Sequence, residues 1–349
     1  FAVPFYGLSK LLGANMKLWI KILLLVLGAI LILIVWGLTL DKKFTETSTA
    51  AYIQTSHALF EEIGIDPQSH FVNTQGPVKR VHYYEMGEGE PLILIHGGGG
   101  YASQWYTIME ELAKSYHIYV LDRPGSGLTD NFIYGDVDLT KHGAAFIRSF
   151  MDALKLDSAH IVGHSMGGLF SVNFAGIYPQ RVKKLVLIGH PAGGTETIPP
   201  QVVMMGLPAV NKILLKLIGE PTIKGSKDFH GMMLVHKPEQ LSDIYWQNDV
   251  NAQLIPGSAR SFNSLLENCV EFGGFNEAFL IQNTLFNLPH HVTFIVGDKD
   301  VWDTIENAEY LASKMNNATV HVIKNASHLP WLDAPEESAQ LILSALEGN

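Results

Sequence analysis

The sequence predicts an α/β protein with a mostly parallel central sheet, helices on both faces, a helical cap and an N-terminal transmembrane helix. Three observations carry this. Strand and helix patterns alternate from about residue 78 to residue 346, a break of about a hundred residues interrupts them, and an uncharged run precedes them. Alternation implies parallel strands joined by crossover helices. A late insertion implies a cap over the strands' C-terminal ends, where such sheets hold ligands. The expected organisation is a basic tail over 1–21, an anchor over 22–40 and a linker with an amphipathic helix over 41–69. The core follows over 70–190 and 291–349, split by a cap over 191–290.

The anchor is the run from Ile22 to Leu40, which carries no charge. Its length matches the ~30 Å hydrocarbon layer at ~1.5 Å per residue. Trp19 and Trp36 lie near its ends, where indoles favour the interface. Lys10, Lys17 and Lys21 precede it and Lys42 and Lys43 follow, a bias that places the body on the extracytoplasmic side. The rival is a cleaved signal peptide, starting at Met16-Lys17, and a secreted body. The run is longer than an ordinary h-region, and the nearest small-x-small site, Ser48-Thr49-Ala50, comes late.

The core elements follow in order. Val78–Met86 alternates like a strand, and Pro91–Ile95 is a continuous apolar run of the buried-strand kind. A helix is expected near Ser103–Ser115, then strand His117–Asp122, helix Leu139–Lys155 and strand Ala159–Gly163. Helix Met166–Tyr178 and strand Lys184–Gly189 lead into the cap. Strand Val292–Gly297, helix Thr304–Met315, strand Thr319–Ile323 and helix Pro335–Leu346 complete the pattern.

Composition removes several classes of function. The 349 residues carry 24 Lys and Arg against 34 Asp and Glu, a net charge of −10, and no strongly basic patch. That excludes nucleic acid as a partner, since its binding needs clustered cations. The one cysteine, Cys269, excludes a disulfide scaffold, a thiolate zinc cluster and a Cys-x-x-Cys redox site.

The chemistry concentrates at Gly163-His164-Ser165-Met166-Gly167, between an apolar strand and a helix. This is the G-x-S-x-G nucleophile elbow. The turn is tight enough that side chains two residues either side of the serine would collide, so Gly163 and Gly167 remove them. The turn lifts the Ser165 hydroxyl above the sheet and aims the Met166 amide at the reacting carbonyl. A serine needs a base, which in this chain order comes last. Among 15 histidines that position falls to His328, in the loop after the final strand. His96 is expected to be structural, and His164 to point away. Asp298 and Asp300, after the strand that follows the cap, are both candidates for the acid that orients the base. The run His96-Gly97-Gly98-Gly99-Gly100 leaves backbone amides free, and Gly98 with Met166 is expected to form an oxyanion hole. The run lacks a following Gly-Lys-Ser/Thr, which argues against a phosphate loop.

The chain from about residue 70 to its end resembles the α/β-hydrolase superfamily. The matching pieces are His96–Gly99, Asp122-Arg123-Pro124-Gly125-Ser126-Gly127, Gly163–Gly168, Gly297–Asp300, and His328 with Asp333-Ala334-Pro335, all in the family's order. The resemblance implies a Ser165–Asp300–His328 triad, because the family's G-x-x-D acid falls on Asp300. It implies neither a metal nor an organic cofactor. Ser165 stands where dehalogenases and epoxide hydrolases carry aspartate, which sets those activities aside.

The expected activity is hydrolysis of carboxylic esters, of esterase or lipase type, on a small or lipid-like substrate. The alternatives are a carbon–carbon hydrolase of ring-cleavage products and a thioester or amide hydrolase. The carbon–carbon enzymes resemble this chain in the glycine run, in Gly125–Asp130 and in Met166. They often carry Trp after the histidine, where this chain has Leu329, and they need a cap arginine. Arg260 is the only arginine between 191 and 290.

Overall fold

The computed structural model describes residues 16, 18–32, 35, 49–196, 198–208, 210, 211, 220–302 and 304–348. The chain forms two units, residues 1–43 with 208–219, and residues 44–207 with 220–349. In the first, residues 18–32 are helical and mostly exposed. Of the expected span over 22–40, residues 33, 34 and 36–40 lie outside the described residues. Among the described residues no helix is long and apolar enough to cross a membrane.

The second unit begins with helix α1 (Thr49–Glu62). Strands β1 (Gln68–Asn73), β2 (Arg80–Met86), β3 (Glu90–Ile95), β4 (Tyr116–Leu121), β5 (Ala159–His164), β6 (Val182–Ile188), β9 (Val292–Gly297) and β10 (Ala318–Ile323) form one sheet. Its order is β1-β2-β4-β3-β5-β6-β9-β10. β2 runs antiparallel to both β1 and β4, and the other neighbours are parallel.

Alternate side chains of each central strand enter two different cores. In β3, Ile93 and Ile95 join one face and Leu92 and Leu94 the other. β6 divides the same way, with Leu185 and Leu187 on one face and Val186 and Ile188 on the other. The two-residue strand period meets apolar packing on both sides, which is why these strands read as unbroken apolar runs. Each such residue, fully buried, contributes about 1.5–3 kcal/mol. Helices α3 (Leu139–Ala153) and α4 (Met166–Ile177) supply buried side chains to the first face. Helix α2 (Tyr106–Ala113) and the C-terminal helix Pro335–Glu347 supply them to the second.

Between β6 and β9 the described insertion holds α5 (Pro200–Gly206), α6 (Ile223–Met233), α7 (Asp243–Gln253) and α8 (Ser258–Cys269). A small hairpin, β7 (Val270–Glu271) and β8 (Gly274–Phe275), and α9 (Gln282–Phe286) complete it. Near its end Ile281, Leu285 and Leu288 join the same buried core cluster as side chains of α4.

Within the region 41–69, expected as a linker and an amphipathic helix, α1 packs one side against the core. Tyr52, Ser56, Leu59 and Phe60 of α1 are buried. Phe60 packs edge-on against Tyr84 with ring centres 4.9 Å apart. Thr55 and Ser56 each donate to Asn248 Oδ1 on α7 at 3.0 Å. Strand β1 has no apolar alternation because it lies at the sheet edge, exposed at every position but one.

Candidate active site

β5 ends at the elbow. Ser165 has φ 49° and ψ −111°, a strained conformation held by Ala192 N–H donating to its carbonyl at 3.0 Å and by its own N–H donating to Ile188 O at 3.3 Å. A Cβ on Gly163 would stand 2.5 Å from Ser171 Oγ, and one on Gly167 would meet the carbonyl oxygens of Ile95 and His96. Only glycine lets α4 start so close to the end of β3. Met166 is the first residue of α4 and is buried.

His328 and Asp300 come from the loops after β10 and β9. His328 Nδ1 lies 2.8 Å from Asp300 Oδ2, with both side chains almost fully buried. Burial alone would raise the Asp300 carboxyl, but the charge and hydrogen bond of His328 outweigh it and hold it below the ordinary value. Asp298 faces elsewhere: its Oδ1 accepts Asn325 N–H at 2.6 Å, and its Oδ2 lies 3.5 Å from Lys299 Nζ. The two aspartates therefore divide, one on the histidine and one on the turn.

Several residues around the pair had no separate signal in the sequence. Trp302 stacks on the His328 ring at 5.0 Å and 20°, and its N–H donates to Asp300 Oδ1 at 2.9 Å. Its indole Nε1–H donates to Met233 O of α6 at 2.9 Å, tying the Asp300 loop to the insertion. Asp333 accepts the amides of Ser327, His236 and Lys237, a second tie between the His328 loop and the insertion. His164, expected only to point away, donates Nε2–H to the His328 carbonyl at 3.0 Å. Burial, then the neighbouring His328, holds His164 well below its ordinary value, so it is a neutral prop.

The glycine run lies beside the elbow. Phe262 of α8 covers it: a Cβ on Gly98 would lie 3.6 Å from that ring, and one on Gly99 3.4 Å. Arg123, 1% exposed, reaches under the run. Its Nε donates to His96 O at 2.9 Å and its Nη2 to Gly97 O at 2.6 Å. His96 completes the hold, accepting Arg123 N–H at Nε2 (3.0 Å) and donating from Nδ1 to Gly97 O (2.8 Å). Burial and the adjacent guanidinium pull its pKa down to about 3. His96 is therefore a neutral structural group. Among the described residues no group of His, Cys, Asp and Glu is arranged to hold a metal.

A family model described as the alpha/beta hydrolase fold matches residues 90–214. The chain has the α/β-hydrolase fold. Among its relatives is a 2-hydroxy-6-oxo-6-phenylhexa-2,4-dienoate hydrolase of Burkholderia cepacia. It is 27% identical over 253 residues, covering 71% of this chain and 85% of the relative. A 2-hydroxy-6-oxononadienedioate/2-hydroxy-6-oxononatrienedioate hydrolase of Paraburkholderia phymatum is 29% identical over 277 residues, covering 78% and 92%. A solved carboxylesterase of Bacillus subtilis superposes with a TM-score of 0.69 at 22% identity, covering 86% of this chain and 99% of that one. At that identity the likeness concerns the fold alone.

Proposed function

We propose that this chain is a serine hydrolase of carboxylic esters working through an acyl-enzyme on Ser165. The observation that carries the reading is the buried 2.8 Å bond between His328 Nδ1 and Asp300 Oδ2, in a loop whose His328 carbonyl is bonded to His164 beside Ser165. With Nδ1–H committed to the carboxylate, Nε2 keeps its lone pair for the Ser165 proton. Ser165 Oγ attacks the acyl carbonyl, and the Gly98 and Met166 amides receive the oxyanion. His328 then protonates the leaving alcohol, and water repeats the sequence on the acyl-enzyme. A carbon–carbon hydrolase of ring-cleavage products is the second reading, favoured by the names of the two relatives. Ester chemistry is preferred because Leu329 follows His328 and because Arg260 is exposed. That exposure leaves the insertion without a buried arginine for a substrate carboxylate.

Ser165→Ala is expected to lower kcat at least ~10⁴-fold, the scale of losing a triad member, and a fluorophosphonate to label Ser165. Activity is expected to survive chelators. A panel of p-nitrophenyl esters of rising chain length, run beside one ring-cleavage dienoate, separates the readings. A higher kcat/KM on the dienoate than on every ester would transfer the assignment to carbon–carbon cleavage. Membrane attachment through 22–40 is part of the same proposal, resting on the uncharged sequence there. The full chain is then expected to stay with membranes through carbonate and high-salt washes, and release by either wash would remove it.

A further inference from the structure

A second serine stands in the same relation to a histidine and an aspartate as a triad nucleophile, far from the elbow. Ser69 Oγ on β1 lies 2.9 Å from His82 Nε2, and His82 Nδ1 lies 2.7 Å from Asp122 Oδ2. His82 and Asp122 are both 0% exposed, whereas Ser69 is exposed on the edge strand. The directions of the hydrogen bonds follow from the acid. Asp122 Oδ1 accepts Ala102 N–H at 2.7 Å and Oδ2 accepts Leu128 N–H at 2.9 Å. Two amide donors favour the ionised carboxylate, which accepts only. His82 therefore donates from Nδ1, and in the neutral ring this leaves the lone pair on Nε2, to which the Ser69 hydroxyl donates.

We propose that Ser69 is a second acyl-accepting serine, taking acyl groups slowly from small activated esters such as aryl esters. Phe71, two residues along on the same face, is 49% exposed and packs on His82 at 5.0 Å with the Arg80 guanidinium 4.6 Å from its ring centre, so its exposed part gives the aryl group an apolar contact beside a cation. In the step, Ser69 Oγ bonds to the acyl carbon as its proton passes to His82 Nε2. The ester C–O bond then breaks, and the leaving phenolate takes that proton from His82. The product is an O-acyl serine and a free phenol. Gln68-Ser69-His70 has no glycine turn like the one framing Ser165. An oxyanion donor is worth ~10²–10³ in rate, so uptake at Ser69 is slow and the acyl group is held rather than turned over.

The proposal is independent of the assignment of Ser165, and one experiment reads both. The full chain and its Ser69→Ala variant are treated with excess fluorophosphonate, followed by intact mass and peptide mapping over time. The full chain is expected to gain one adduct quickly at Ser165 and a second slowly at Ser69. That second site should outpace other exposed serines by about 10²-fold, the worth of a positioned base. Ser69→Ala should abolish only the slow addition. A single addition, a second one scattered over exposed serines, or one that persists in Ser69→Ala would overturn the proposal and leave Ser69 as a tie between β1 and β2. Labelling at Ser69 without labelling at Ser165 would overturn the ester-hydrolase reading and leave this one standing.

Discussion

The guanidinium of Arg123 is bonded to two main-chain carbonyls, His96 O and Gly97 O, and its Nη1 has no partner among the described residues. In a trans peptide the carbonyl and the next N–H point in opposite directions. Holding Gly97 O against Arg123 therefore turns the Gly98 N–H away from the guanidinium, and the cation polarises the same amide. Arg123 thus sets the direction of one proposed oxyanion donor. Arg123→Met is expected to lower kcat by about 10²–10³ with little change in KM, the scale of one misdirected donor. Arg123→Lys keeps the charge but not the two-armed grip and should fall between. A fall in Tm with kcat intact would make the residue purely structural. Asp300 and Asp298 give a second contrast at this scale. Asp300→Asn should cost about 10⁴ in kcat, because the amide cannot hold His328 in the needed tautomer. Asp298→Asn keeps an oxygen that can accept Asn325 N–H, loses only the charge beside Lys299, and should cost far less. Steady-state kinetics on a short ester checks all four variants, and equal losses at 298 and 300 would break the assignment.

At the scale of elements, α1 closes a seam that the sheet alone would leave open. Asn248 Nδ2 donates to Ser103 Oγ at 2.9 Å, and Tyr52 OH lies 3.1 Å from the same hydroxyl. Asn251 Nδ2 donates to Ala51 O at 3.3 Å. One residue group along, Tyr101 OH donates to Asp249 Oδ1 at 3.1 Å, joining α7 to the end of the glycine run. A chain beginning near Thr45 keeps all of this and should retain its kcat on a water-soluble ester. A chain beginning at Asp66 exposes Tyr84 and takes from Asn248 Oδ1 its Thr55 and Ser56 donors, at about 1–3 kcal/mol for a polar group left unsatisfied. It should melt well below the longer chain. The single substitution Phe60→Ala tests the apolar half of the seam and should cost about 3–4 kcal/mol, read from denaturant unfolding. A cost near zero would mean that α1 is not part of the folded core.

For the whole molecule, buried neutral histidines make stability depend on pH before the carboxylates do. Burial, with Arg123 nearby, brings His96 to about 3 and His142 to about 4, and burial holds His164 well below its ordinary value. These folded values lie under the ~6.5 of an unfolded histidine. Between the two, the unfolded chain binds the extra protons, so unfolding becomes easier as pH falls. The slope is at most about 1.4 kcal/mol per pH unit for each such group. It starts below about pH 6.5 and persists until pH passes the folded values. Tm should therefore drop between pH 7 and pH 5. The His142 ring packs among Phe132 at 4.4 Å, Tyr134 at 5.2 Å and Phe170 at 5.9 Å. His142→Phe fits that aromatic setting and should shrink the drop, whereas an unchanged drop would exclude His142 from the effect.

Features set by local geometry are legible along the chain. The two-residue period and two-sided burial of β3 to β6 appear as unbroken apolar runs. The elbow appears as Gly163 and Gly167 two residues either side of Ser165, because the collision they avoid lies within one turn. The edge strand β1 left no such mark, since it buries almost nothing. The two aspartates at 298 and 300 are alike as residues. The superfamily resemblance preferred Asp300, but which carboxylate faces His328 is a matter of how the loops after β9 and β10 meet. Partners far apart in the chain were decided only in three dimensions. Ser69 and His82 are 13 residues apart, His82 and Asp122 are 40, Arg123 and the carbonyl of His96 are 27, and Thr55 and Asn248 are 193. No periodicity reaches across such intervals. A hydrogen bond between two of these groups exists because the sheet order sets β1 beside β2 and β2 beside β4, and because the insertion folds back onto α1. The residue types alone, a serine, a histidine and an aspartate among many, carry no record of that.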